Sequence, residues 1–304
     1  MSKGRVVIAG GSGFLGRSLA GDLAGGDYDV SILTRTPASR GGLITEIKWD
    51  GRTQGDWTDA IDGAAAVINL TGKSVNCRYT PENRKEIVES RINSVRAIGE
   101  AIGRARSKPP VWVQAGSLAI YGDTGDRVCD ENAPVGEGFS VETCVSWEKS
   151  LADLKLDNTR KVLLRIGFAL GGEGGALEPL AGLARRFLGG TTGSGRQFIS
   201  WLHLDDLNRI FRRSIERNEM LGAYNATGPN PVTNREFMRE LRRAVHRPWS
   251  PPVPSWAVRI GARMMGTEAE LALTGRRCIP RRLLDSGFEF QHPHLRDALA
   301  DLLS

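Results

Sequence analysis

The chain has 304 residues, of which 40% are hydrophobic and 25% charged, and it carries a formal net charge of +6. That length buries a full core, as one large α/β domain or a main domain with a smaller appendage, and the balance is ordinary for a soluble globular protein. No apolar run approaches the roughly 18 residues that span a bilayer, and the basic excess comes without aromatic interleaving, zinc spacing or an RNP-like motif, so neither membrane nor nucleic acid is expected as a partner.

The N-terminal MSKGRVVIAGG carries a short apolar stretch that runs straight into glycines. That suits a buried strand better than a secretory signal, which needs about 7–15 apolar residues and a cleavage site. Further runs of aliphatic and β-branched residues follow at 29–35, 46–50, 65–72, 110–117 and 161–167, bounded by Gly, Asp or Pro. They read as buried parallel strands, with helical patterns between them, notably over 80–105. Strand–helix alternation predicts an α/β fold with a doubly wound parallel sheet. Beyond Asn225 the texture changes. Thr233 and Glu236 have capping-box spacing, the proline-rich PWSPPVPS (248–255) follows, and a final helix is expected over 293–304. The expected division is a dinucleotide-binding domain over 1–230 and a small, mainly helical lobe over 231–304 that completes a substrate pocket. Four scattered cysteines (Cys77, Cys129, Cys144, Cys278) include no C-x-x-C pair, which predicts a reducing, cytoplasmic setting.

VVIAGGSGFLGRSL places Gly10, Gly13 and Gly16 between the first strand and a helix. Gly10 permits the tight turn, Gly13 lets a pyrophosphate approach the backbone, and Gly16 lets helix and strand pack closely. The end of the second strand chooses the cofactor. An acidic residue there would bond both ribose hydroxyls of NAD, but LTRTPASR offers Arg35 and Arg40 instead. Arginine forks match a phosphate, so NADP(H) is expected.

These residues resemble the extended short-chain dehydrogenase/reductases, and within them an atypical, epimerase-annotated family with a characteristic C-terminal domain. The likeness runs through INLTGKSV (68–75), RYTPENRKEIVESRINS (78–94), CVSWE (144–148), LLRIGFALGGEGGAL (163–177), GSGRQFISWLHLDDL (193–207), YNATGPNPVTNREF (224–237) and IPRRLLDSGFEF (279–290). It implies a Rossmann sheet and an NADP(H)-dependent oxidoreductase or epimerase. The substrate would be a small polar carbonyl or hydroxyl compound, sugar-like molecules included. The resemblance also implies residue roles. Gly10, Ser12, Gly13, Phe14 and Leu15 would wrap the pyrophosphate, Arg35 would take the 2′-phosphate, and Asp50 would reach the adenine. Leu70, Thr71 and Gly72 would line the adenosine ribose, Asn93 would steady the fourth strand, and Gly167 and Phe168 would face the nicotinamide.

Ordinary members pair a Ser or Thr with a Tyr-x-x-x-Lys, whose lysine lowers the tyrosine pKa. Ser117 keeps the serine position, with Tyr121 four residues later, but Cys144 and Glu148 stand where the pair would be. A thiol is acidic enough alone, yet an anionic Glu one turn away disfavours the thiolate and the side chain is short. Glu148 is therefore the better proton-transfer candidate, and Cys144 also reads as a small buried apolar residue. Tyr79 and Tyr121, with Arg196 and Gln197 after the GSG turn, are the candidate substrate contacts. His203 reads as structural, and His292-Pro-His294 lacks a carboxylate or cysteine at ligand spacing, so no metal is expected. A small-molecule substrate and a monomer or homodimer are expected. The competing expectation is a catalytically decayed NADP(H)-binding sensor or interaction protein.

Overall fold

The computed structural model describes residues 2–38 and 42–303. Arg40, the second arginine expected near the cofactor, lies outside them. Seven parallel strands make the central sheet: β1 (Arg5–Ala9), β2 (Asp29–Thr34), β3 (Ile44–Lys48), β4 (Ala66–Asn69), β5 (Val111–Ser117), β6 (Arg160–Ile166) and β7 (Gly222–Ala226). Their order across the sheet is β7-β6-β5-β4-β1-β2-β3. Chain direction reverses its lateral progress between β1 and β4, so the crevice beyond their C-terminal ends is where an open α/β sheet takes its ligands.

Both faces of the inner strands are covered, which is why they read as continuous apolar runs rather than alternating ones, whereas the edge strand β3 is only partly buried. On one face, Leu19, Ala20 and Leu23 of α1 (Phe14–Gly25) and Leu207, Ile210 and Phe211 of a later helix (Leu204–Glu216) pack on Val6, Ile8, Val30 and Ile32. On the other, Val95, Ile98 and Ile102 of α2 (Pro81–Arg104) and Trp147 and Leu151 of α3 (Phe139–Ala152) cover Val7, Val67 and Trp112. Thr80 caps α2 by accepting from Asn83 N–H at 3.2 Å, and Pro81 occupies its first turn, the start signals the sequence carries.

The C-terminal helices share the core of what precedes them. Phe237 and Leu241 of the helix Asn234–Ala244, and Leu295 and Leu299 of the last helix (Leu295–Leu303), cluster with Leu170, Leu177 and Trp201. The expected capping box forms, with Thr233 Oγ1 accepting from Glu236 N–H and Glu236 Oε2 accepting from Thr233 N–H. Residues 277–278 return to pair with 128–129, Cys278 beside Cys129. Among the described residues no helix is long and apolar enough to cross a membrane.

Candidate active site

Where β1 ends, Gly10 adopts φ 75°, a left-handed conformation that lets the chain turn into α1. A side chain at Gly16 would stand 2.4 Å from Gly11 Cα, so helix and turn touch backbone to backbone. The first turn of α1 has neither a side-chain cap nor an acidic residue, which leaves its amides free for an anion. A cleft of about 760 Å³ opens in front of this turn. Gly10, Ser12, Gly13, Arg35, Asp50, Leu70, Thr71, Gly72 and Asn93 line it, together with Arg52, which was not foreseen. Thr71 Oγ1 is buried there without a hydrogen-bond partner. An unpartnered buried hydroxyl, bare helix amides and an arginine at the tip of β2 fit the ribose, diphosphate and 2′-phosphate of a dinucleotide.

The Asp50 carboxylate lines the cleft with its side chain 42% exposed and also braces its own turn: Oδ1 accepts from the Arg52 and Thr53 N–H groups at 2.9 and 2.8 Å, and Oδ2 from Thr53 Oγ1. Burial works against its charge, but these hydrogen bonds prevail and hold the carboxyl at about 2. The fourth strand is steadied not by Asn93 but by Ser94 and Gln114, which accept from Asn69 Nδ2 at 3.1 and 3.0 Å. The Phe14 ring packs against Gly171 and Gly175 and Leu15 against the core, so either could meet a diphosphate only through its backbone. Phe168 packs edge-on against Phe237 at 5.8 Å, turned toward the helical lobe. Gly167 sits against Ser200 O, where a Cβ would come within 2.5 Å.

Ser117, half-buried at the end of β5, accepts from Ala119 N–H at 3.2 Å, which leaves its hydroxyl proton for a ligand. Cys144 is 5% exposed among Leu118, Ile120 and Tyr121. Burial pushes its thiol up to about 11 and Glu148 adds to the rise, against Arg91, Arg276 and Arg165. As a thiol it is no base at neutral pH. Glu148 is not a free proton relay either. Its oxygens accept from Arg165 Nε and Nη2 at 2.9 Å each. That hydrogen bond outweighs burial and raises the Arg165 pKa further, so Glu148 faces a permanent cation.

Tyr121 is fully buried and does not face a substrate. Its hydroxyl donates to Asn225 Oδ1 at 2.8 Å and accepts from Arg165 Nη1 at 2.7 Å; burial pushes it up to about 12. Gln197 is likewise buried, its amide donating to Thr192 O and Ala272 O at 2.9 and 3.0 Å. It ties the GSG turn to the C-terminal lobe. Arg196 is exposed. Tyr79 is half-buried, edge-on to Phe139 at 5.0 Å, and its N–H donates to Glu268 Oε1 at 2.7 Å.

Sequence reasoning missed Arg165 and Arg276. Arg165 had a signal, a charge inside the apolar run KVLLRIG, since unpaired arginine is rarely buried. His203, His292 and Asp301 also converge, with ligand atoms within 4.8 Å of one another. His203 Nδ1 accepts from Asp205 N–H at 3.1 Å, which puts the ring proton on Nε2, the nitrogen 3.2 Å from Asp301 Oδ2. A proton occupies the lone pair a metal would need.

Comparison with known proteins agrees with this geometry. Residues 6–226 match the model of the NAD dependent epimerase/dehydratase family, and 253–302 match a domain of unknown function (DUF1731). Epimerase family protein YfhF of Bacillus subtilis is 34% identical over 98% of this chain and 98% of its own length. The Arabidopsis thaliana epimerase family protein SDR39U1 homolog, chloroplastic, is 33% identical over 98% of this chain and 86% of its own length. The crystal structure of human epimerase family protein SDR39U1 (isoform 2) with NADPH superposes with a TM-score of 0.88 at 31% identity, covering 98% of this chain and 99% of that one.

Proposed function

The chain belongs to the NAD dependent epimerase/dehydratase family, and on that premise we propose that it is an NADP(H)-dependent oxidoreductase or epimerase. Its substrate is a small polar carbonyl or hydroxyl compound, and it works without the Tyr-x-x-x-Lys pair. The observation that carries the reading is Arg35 at the tip of β2, facing a cleft that begins at the glycine turn. The human relative bound to NADPH supports the same choice.

When bound, the nicotinamide supplies or accepts a hydride. The chain's own residues do the rest. The Gly10–Gly13 backbone and the α1 N-terminus hold the diphosphate, Arg35 the 2′-phosphate, and Thr71 Oγ1 a ribose hydroxyl. Ser117 donates a hydrogen bond to the substrate oxygen, and Cys144 forms an uncharged floor. Glu148 keeps Arg165 in place. The lobe over 231–304 closes the pocket, and the four free cysteines support a reducing compartment such as the cytoplasm, with the protein a monomer or homodimer.

Fluorescence titration with NADPH and NADH, followed by nicotinamide absorbance with a panel of carbonyl substrates, tests this. NADPH bound at least ~10-fold more tightly than NADH, about 1.4 kcal/mol, is expected, with turnover of at least one carbonyl; equal affinities refute the cofactor choice. A second reading, a non-turning NADP(H) sensor, is favoured by the locked Glu148–Arg165 pair beside an un-ionised Cys144. Tight NADPH binding with no turnover on any substrate selects it.

A further inference from the structure

The outer end of the cofactor cleft carries a second cation besides Arg35. β2 and β3 run side by side, with Thr34 opposite Lys48 and Trp49 N–H donating to Thr34 O at 2.8 Å. Arg35 is the residue after β2, and Arg52 stands in the turn that follows β3. β3 is the edge of the sheet, so these two strand tips close the cleft on that side. Both arginines line the same space of about 760 Å³, and Trp49, Asp50 and Gly51 line it with them.

One side of the Arg52 guanidinium is oriented by the chain itself. Its Nε stands 3.5 Å from Asp50 Oδ2, and the Arg52 and Thr53 N–H groups and Thr53 Oγ1 hold that carboxylate in place. Nη1 and Nη2 of Arg52 have no hydrogen-bond partner among the described residues, and neither has the guanidinium of Arg35. The Arg52 side chain is 71% exposed, and an ion pair so exposed contributes little to folding. What it does contribute is direction: with Nε turned to Asp50, the two terminal nitrogens are left as a planar fork, the shape that matches a phosphate group.

In an open α/β sheet the tip of the second strand meets the ribose 2′ position of a dinucleotide whose diphosphate sits at the first glycine turn. The next strand outward is β3, so its tip flanks the 2′ position on the side that Arg35 does not cover. We propose that Arg52 is a second specificity-determining residue for NADP(H), holding the 2′-phosphate from the β3 side while Arg35 holds it from β2. This deepens the NADP(H) reading and rests on it. Preference for the phosphorylated cofactor is then shared between two forks on two adjacent strand tips.

Isothermal titration of the parent and of Arg52→Gln with NADPH, NADH and the fragments adenosine 2′,5′-bisphosphate and 5′-AMP tests this without any turnover. Arg52→Gln should bind NADPH and the bisphosphate about 10-fold more weakly. It should bind NADH and 5′-AMP as the parent does, which also reports that the cleft is intact. Arg52→Lys keeps the charge but loses the fork and should fall between. Arg35→Ala combined with Arg52→Gln should bind NADPH and NADH alike, and the remote Arg106→Gln, which removes the same charge elsewhere, should match the parent. Failure of the parent to bind NADPH, or equal affinity for NADPH and NADH, would overturn the cofactor reading and this assignment with it. A parent that prefers NADPH, with that preference unchanged in Arg52→Gln or with NADPH and NADH weakened equally by it, would overturn the role of Arg52 alone and leave that of Arg35 standing.

Discussion

Arg165 on β6 and Glu148 on α3 meet through two parallel hydrogen bonds, Nε to Oε1 and Nη2 to Oε2, each 2.9 Å long. The pair is mostly shielded, with side-chain exposures of 11% and 16%. The remaining guanidinium nitrogen reaches Tyr121 Oη and, at 3.3 Å, Glu131 O. A position that carries a catalytic lysine in ordinary relatives here anchors a helix to the sheet.

Glu148→Ala should therefore act first on stability. Removing one partner strands the Arg165 charge, at a cost of about 2–3 kcal/mol for a pair with this residual exposure, measured by urea unfolding. Arg165→Met combined with Glu148→Ala should recover part of that loss, because no charge is left stranded. A Glu148→Ala protein as stable as the parent but without turnover would restore Glu148 as a proton relay.

Arg35→Ala tests the other end of the cleft. Hydrogen bonds to a charged phosphate contribute about 1.5–3 kcal/mol, so NADPH affinity should fall about 10–100-fold while NADH affinity stays level. Isothermal titration with both nucleotides checks it; a parallel loss for NADH would mean that Arg35 shapes the loop and not the phosphate site.

The cysteines give a chemical test. Cys129, Cys144 and Cys278 are buried, whereas Cys77 is half-exposed. Burial pushes Cys144 to about 11 and Cys278 to about 12, and only the thiolate alkylates. Iodoacetamide at mildly alkaline pH, mapped by peptide mass spectrometry, should label Cys77 first and leave Cys144 unmodified until the protein unfolds. Early labelling of Cys144 would mean that its thiol is open to solvent and ionised.

Much of the fold is legible because its signals are local. The six runs became β1 to β6, the inner strands apolar throughout because they are buried on both faces, whereas the edge strand β3 (ITEIK) is only partly buried. β7 escaped because GAYNA has no β-branched residue; it is held by its register with β6, Ala223 beside Leu163 and Asn225 beside Arg165. The cofactor cleft was legible for the same reason as the strands, the glycine spacing dictating where the backbone runs. The catalytic face was half legible. Helical spacing correctly put Cys144 and Glu148 on one side of α3, but what Glu148 faces is set by Arg165, 17 residues away on strand β6. Arg276 comes from further still, and nothing local distinguishes it from Arg277, whose guanidinium lies over Phe198 at 4.8 Å.

The buried imidazole of His203 should set an acid limit on stability. It is 2% exposed, stacks on His292 at 3.8 Å and caps the helix Leu204–Glu216 through Nδ1. Burial, with the neighbouring His292 adding to it, lowers its pKa below the usual 6.5, although Asp205, Asp301 and Asp206 pull the other way. With the folded pKa below the unfolded one, the unfolded chain binds more protons between the two, so stability is complete above about 6.5 and falls as the pH drops through that window. His203→Asn keeps a side chain that caps helices well but removes the titration. Its melting temperature should therefore decline less steeply than the parent's as the pH falls from neutral toward 5. Parallel slopes for the two proteins would show that His203 titrates no differently folded than unfolded, and that the acid sensitivity comes from the carboxylates instead.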